Sequence, residues 1–405
     1  MGNILVAQSG GPTAAINATL AGVLKGAFKD TEAEKVLGSL NGIEGVLTEN
    51  FKDMSAFKDD MAFRLLKQTP SSYLGSCRKK LPTLEEDEAT YIKIFEVFKK
   101  HNITKFFYIG GNDSMDTVNK LSIYAKEKGI DITVAGVPKT IDNDLCHTDH
   151  TPGFGSAAKF VANSIKQLAL DTGVYKMKSV VILEIMGRNA GWLTAAAALA
   201  NDSENTYTDI VALPEVAFDT EAFLKKVEKT AEEKGTVMIA LSEGIKDKNG
   251  AYVGEALSKR AAADDKFNHA VLGGVGRIVE NLVNTELGIK TRTIELSTLQ
   301  RCFSALASNT DIEESVLCGE KAYEIASSGK TGFMAGFKRL SDKPYKIEID
   351  SFPAGDVANF EKKIPSNMIA EDNFSVTKEF FTYASPLIEG EVPVIYENGV
   401  IKFAK

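Results

Sequence analysis

A chain of 405 residues and 43.8 kDa, 44% hydrophobic and 25% charged, is long enough for two core-bearing domains. Its net charge of −8 and pI near 5.3 argue against nucleic acid as a partner, since that binding rests on a basic face that neutralises phosphates. With no run of about 18 apolar residues and no basic-then-apolar leader, the expectation is a cytoplasmic protein with no membrane partner.

Residues 3–7 read as a short apolar strand that runs into Gln8-Ser9-Gly10-Gly11-Pro12-Thr13, and residues 14–28 have helical spacing. A glycine turn between strand and helix lets the backbone approach a ligand and aims helix N–H groups at an anion, although the same turn also serves as a tight connection. A second strand is expected at 36–40. The loop 71–80, S-S-Y-L-G-S-C-R-K-K, gathers cations that are expected to be solvated. Residues 85–100 predict an amphipathic helix with Tyr91, Ile94, Phe95 and Phe98 on one face. Strand 105–109 then meets Gly110-Gly111-Asn112-Asp113-Ser114 and a helix to residue 126. Strand 132–137 meets P-K-T-I-D-N-D at 138–144. This alternation implies a parallel sheet, with three polar loops converging at the carboxyl ends of its strands, where open α/β sheets bind ligands.

The alternation restarts after residue 155. Helix 156–170, strand 179–185, the turn M-G-R-N-A-G at 186–191 and an alanine-rich helix to residue 200 come first. Strand 209–213, helix 220–234, strand 237–241, Ser242-Glu243-Gly244, helix 275–287, strand 291–299 and helix 312–327 follow. The fold class is therefore α/β, two Rossmann-like three-layer domains with mostly parallel sheets. The first spans 1–150, completed by about 300–340, and the second spans 151–300, completed by part of 341–405. From 336 onward the pattern is short strands and turns with no readable duty. The cysteines Cys77, Cys146, Cys302 and Cys318 show no C-x-x-C spacing and are expected to be reduced thiols. Asp144, Cys146, His147, Asp149 and His150 have the residue types of a metal cluster, but a solvated loop is the expectation. Trp192 reads as helix packing against the sheet. Lys178 and Arg277 are expected to be solvated, with a neighbouring subunit's site the alternative.

Phosphoryl transfer asks for backbone donors around phosphates, cations on the moving group, a metal and a base for the attacking hydroxyl. The chain offers glycine turns at 10–11 and 110–111, cations at Lys139, Arg188, Arg292 and Arg301, and carboxylates at Asp113, Asp142 and Asp144. Neither a Walker-type loop nor G-x-G-x-x-G after the first strand is present. The ordered set S-G-G at 9–11, L-G-S-C-R at 74–78, G-G-N-D-S at 110–114, P-K-T-I-D-N-D at 138–144, M-G-R-N-A-G-W-L at 186–193, S-E-G at 242–244 and R-T-I-E-L-S-T-L-Q-R at 292–301 resembles the 6-phosphofructokinase family.

Where ATP-using members resemble G-G-D-G-S and P-G-T-I-D-N-D, this chain has Asp113 and Lys139, the pair typical of the pyrophosphate-dependent branch. A carboxylate at Asp113 would repel the α-phosphate of a nucleotide, and Lys139 adds a charge where a small anionic donor reacts and could neutralise Asp113. The resemblance implies reversible transfer from pyrophosphate to the 1-hydroxyl of fructose 6-phosphate, with Mg2+ as cofactor. An ATP-dependent sugar-phosphate kinase and a non-catalytic regulatory subunit are the alternatives. By the same resemblance Asp142 is the general base, and Asp144 positions it or a magnesium-bound water. Thr140, Met186, Gly187, Arg188 and Glu243 contact the sugar phosphate, Arg292 and Arg301 hold the 6-phosphate, and Gly11, Gly111 and Arg78 face the donor. The chain departs from the family at Asn112, where an aspartate near magnesium is usual, at Thr298, where a histidine or tyrosine often contacts substrate, and at Cys302, where glycine is common. A homo-oligomer of two or four copies is expected.

Overall fold

Apolar runs buried on both faces make the central strands, because each lies between two helical layers. In the computed structural model, which describes residues 2–254 and 274–405, the first strands are β1 (Gly2–Gln8), β2 (Ala33–Ser39), β3 (Phe51–Asp53), β4 (Ile103–Gly110) and β5 (Thr133–Pro138). They lie in the order β5-β4-β1-β2-β3, all parallel except the β2–β3 pair. The connections are α1 (Ile16–Lys29), α2 (Gly42–Leu47), α3 (Asp60–Gln68), α4 (Leu84–Lys100) and α5 (Asn112–Glu127). Strand alternation sends Ile4 and Val6 to a layer with Leu20 and Leu24 of α1, and Leu5 and Ala7 to a layer with Tyr91, Phe95 and Phe98 of α4. The polar loops after β1, β4 and β5 consequently emerge side by side.

The second unit contains α6 (Phe154–Thr172), β6 (Ser179–Ile185), α7 (Trp192–Ala196), β7 (Ile210–Ala212), α8 (Thr220–Lys234), β8 (Thr236–Ser242), α9 (Val275–Leu287) and β9 (Lys290–Glu295). Its sheet is parallel throughout, in the order β7-β8-β6-β9. α6 and α7 cover one face, α8 and α9 the other. The strand expected over 291–299 stops at Glu295. Leu296 still donates its N–H to the Glu184 carbonyl at 3.1 Å, but Ser297 takes a positive φ of 45° and Leu299–Cys302 coils into a helical turn.

Past residue 308 the chain returns to the first unit. α10 (Asn309–Ser327) packs on α1, and β10 (Phe333–Asp342) pairs parallel with β5 and antiparallel with β11 (Tyr345–Pro353). Part of the expected run of short strands is thus a long hairpin that extends the first sheet to seven strands, while short paired strands do occur at Tyr396–Glu397 and Val400–Ile401. Beyond it α11 (Lys378–Ala384) buries Phe380 and Tyr383 beside Trp192 in the second unit's core. Trp192 is therefore packing, as its sequence context implied. No helix among the described residues is long and apolar enough to cross a membrane.

Candidate active site

The three loops line one cavity of about 1020 Å³, together with Arg78, Met186, Arg301 and residues 359–361. Its floor begins with glycine. Gly10 has φ 76°, a left-handed turn that favours glycine, and a Cβ on Gly110 would meet the Ser114 hydroxyl at 1.9 Å. That gap admits a short hydrogen bond between the Ser9 and Ser114 hydroxyls, which ties the first loop to the start of α5. Gly10 also donates its N–H to the Cys77 carbonyl at 3.0 Å and accepts from the Ser76 hydroxyl at 2.6 Å. These bonds bring the 76–80 loop, with exposed Arg78, to the cavity.

Lys139 follows the last residue of β5 and is 3% exposed. Its Nζ donates to the Gly11 carbonyl at 2.6 Å. Burial pulls its pKa down to about 8, opposed by the charges of Asp142 and Asp144 and helped by Arg301 and Arg78. The expected neutralisation of Asp113 by Lys139 does not occur. Asp113 is exposed at the first turn of α5 and pairs instead with Lys80 at 2.8 Å.

Thr140 and Gly153 bridge the ends of the loop after β5, and the Thr151 hydroxyl donates to the Thr140 carbonyl at 2.9 Å. Within this closed loop Asp142 N–H donates to the Thr140 hydroxyl at 3.1 Å. Burial pushes the Asp142 carboxyl up, against the lowering pull of Lys139, the Thr140 hydroxyl, Arg188 and Arg301. Asp144 is pushed up to about 7 by burial and then by the charge of Asp142. Asn143, between them, has φ 54° and donates to the Tyr383 hydroxyl at 2.8 Å, which turns the two carboxylates out of the core.

From the second unit, Gly187 has φ 151° and donates its N–H to Glu243 at 3.3 Å, while Met186 N–H donates to Gln300 at 3.1 Å. Burial lifts Glu243 to about 7. The charge of Asp142 contributes to that rise and Arg188 opposes it, so the second unit's turns face Asp142. Met186 and Arg301 line the cavity. Arg292 and Thr298 do not; both are exposed, at the edge strand β9 and just after it. Lys178 and Arg277 are exposed and pair with Glu232 at 3.9 Å and Glu295 at 3.5 Å.

Of the loop from Asp144 to His150 expected to be solvated, His147 is exposed, but Asp149 and His150 belong to a buried polar network. His150 is 3% exposed, stacks on Phe337 at 4.3 Å, and lies between Asp149 at 2.9 Å and Glu314 at 2.8 Å. Among the described residues, no group of three or more His, Cys, Asp and Glu could hold a metal ion by itself. All four cysteines are free thiols.

Residues 359–361 were not legible as site residues, because A-N-F-E-K carries no motif and reaches the cavity only through long-range contacts. Gln300 was equally silent: its role depends on the turn at Ser297, whose carbonyl it also bonds at 2.8 Å.

Comparison with known proteins adds four matches. The family model described as Phosphofructokinase matches residues 3–326. A Xanthomonas campestris pv. campestris protein named pyrophosphate–fructose 6-phosphate 1-phosphotransferase is 44% identical, over 99% of this chain and 95% of its own length. The crystal structure of a pyrophosphate-dependent phosphofructokinase from Nitrosospira multiformis superposes with a TM-score of 0.90 at 37% identity, covering 99% of this chain and 95% of that one. A more distant protein from Alkalicoccus urumqiensis, named sulfofructose kinase, is 32% identical over 91% of this chain and 92% of its own.

Proposed function

The chain belongs to the phosphofructokinase family, and from that premise we propose that it reversibly transfers a phosphoryl group from pyrophosphate to the 1-hydroxyl of fructose 6-phosphate, giving fructose 1,6-bisphosphate and phosphate. The observation that carries this reading is Lys139, a buried cation between the Gly10–Gly11 turn and Asp142 in a cavity shared by both units. The first unit, completed by α10, β10 and β11, takes the donor; the second, completed by α11, takes the sugar phosphate.

In the forward direction Asp142 accepts the proton of the 1-hydroxyl as that oxygen bonds to phosphorus. The bond from that phosphorus to the bridging oxygen of pyrophosphate breaks, and phosphate leaves against Lys139. Backbone N–H groups at Gly11 and Gly111 and the Arg78 guanidinium hold the donor. Thr140, Met186, Gly187, Arg188 and Glu243 orient the sugar, and Arg301 grips the 6-phosphate. Arg292, outside the cavity, reaches a 6-phosphate only across a contact between copies. Such a homo-oligomer is supported by the exposed apolar cluster Leu170, Val174, Tyr175 and Met177.

Mg2+ fits the site: Asp144 offers hard carboxylate oxygens, and burial together with the negative charge of Asp142 beside it raises its pKa to about 7. Asp144, with the donor's phosphates, would hold the ion, since magnesium takes one or two carboxylates and keeps phosphates and water as its other ligands. Bound there, it neutralises charge on the transferring group. We place the enzyme in the cytoplasm.

The test supplies fructose 6-phosphate and Mg2+ with either pyrophosphate or ATP and measures fructose 1,6-bisphosphate. Turnover with ATP alone would overturn the donor reading, and none with either would favour a regulatory subunit. Sulfofructose in place of fructose 6-phosphate tests the acceptor, prompted by the name of the Alkalicoccus relative.

A further inference from the structure

Asn112 departs from the family's aspartate, and its side chain is committed to a distant part of the chain. Its Oδ1 accepts from the Asn359 N–H at 2.5 Å, and its Nδ2 donates to the Phe360 carbonyl at 2.5 Å. Residues 359–361 form a wall of the cavity next to Gly111, Asp113 and Asp144. Val357 and Ala358, just before the wall, are buried with Met115 of α5, but residues 359–361 themselves are exposed, Phe360 at 58%. The wall's ties are polar. Lys362 donates its N–H to the Asp144 carbonyl at 2.7 Å, and Asn189 donates to Glu361 at 3.1 Å. At the end nearest α5, Asn112 supplies the tie.

The two bonds need opposite chemistry on one side chain. An amide carries both an acceptor and a donor, whereas a carboxylate would satisfy the Asn359 N–H and present the Phe360 carbonyl with a second acceptor. An aspartate would, by contrast, suit the first turn of α5, where the helix dipole favours negative charge. The asparagine is thus explained by the wall and not by the helix.

We propose that Asn112 is a positioning residue for the phosphate donor: it clamps residues 359–361 in place as a wall of the donor cavity, and is not a weakened metal ligand. The inference rests on the donor assignment made above. Its test compares full-length Asn112→Asp and Asn112→Ala with the unaltered chain by hydrogen exchange over residues 357–363 and by steady-state kinetics. Both variants should speed exchange in that segment and raise KM for pyrophosphate about tenfold, with KM for fructose 6-phosphate within about twofold and kcat within about threefold. A lower KM for pyrophosphate or a lower Mg2+ requirement in Asn112→Asp would identify a metal ligand and overturn the clamp. Unchanged exchange would also overturn it, as would faster exchange with an unchanged KM. If the unaltered chain uses ATP and not pyrophosphate, the donor assignment fails by itself; exchange and KM for ATP then judge the clamp separately.

Discussion

Lys139 and the carboxylates after it set opposing demands on pH. In the proposed mechanism Asp142 must be ionised to take the proton, and burial raises its pKa; activity should therefore grow as pH rises out of the usual carboxylate range. Lys139 must be charged, and its pKa of about 8 means its proton is lost soon above that. We expect kcat/KM for fructose 6-phosphate to follow a bell in the free enzyme, with an acid limb above the usual carboxylate range and an alkaline limb near 8. Lys139→Met should remove the alkaline limb and lower kcat by about 10²–10³-fold. A profile whose alkaline limb survives in that variant would assign the limb to another group. Asp142→Ala should lower kcat by about 10²–10⁴-fold while calorimetry still detects fructose 6-phosphate binding. Near-normal turnover would remove Asp142 from the role of base.

At the scale of elements, the contact between α1 and α10 depends on two glycines. A Cβ on Gly22 would meet the Val316 carbonyl oxygen at 2.1 Å, and one on Gly319 would meet the Thr19 carbonyl oxygen at 2.3 Å. Backbone cannot yield as a side chain does, so Gly22→Ala should destabilise the protein by about 1–3 kcal/mol, measured by denaturant unfolding. Because α1 follows the Gly10–Thr13 loop, its KM for pyrophosphate should rise as well. The strand–glycine–helix units were legible in the sequence because each is a local pattern: apolar run, turn residues, then helical spacing. α3, β3 and the β10–β11 hairpin were not, since they take their form from edge pairing and from partners far along the chain. The strand predicted over 291–299 overran because Leu296 and Leu299 continue the apolar pattern past the backbone turn at Ser297. In the site, P-K-T-I-D-N-D was legible as chemistry, but which lysine meets Asp113 depends on how the 76–80 loop folds back. That loop is held by its bonds to Gly10, one of them from its own Ser76 hydroxyl.

Over the whole molecule, His150 joins the loop after β5 to α10 and, through Phe337, to β10. Burial disfavours its charge, but bonds to Asp149 and Glu314 outweigh that and raise its pKa above 6.5. Arg339 bonds the same Asp149 at 2.9 Å, and Tyr345 donates to Glu314 at 2.8 Å, so neither carboxylate serves His150 alone. A raised folded-state pKa means that the stabilisation is complete below the ordinary value of about 6.5 and fades as pH climbs through the folded one. Melting temperature should accordingly fall over that range, and His150→Gln should flatten the decline; an equal slope in both proteins would place the titration elsewhere.

The wall at residues 359–361 also orders events in time. The cavity draws on Ser9 and on Glu361, which is synthesised long after it. A ribosome-bound chain can complete β1 to β5 and much of the second unit while the donor pocket still lacks a side. Nascent chains stalled before residue 359 should therefore resist proteolysis in β1 to β5 yet bind pyrophosphate poorly, so that competence to bind it arrives only once residues 359–361 have emerged.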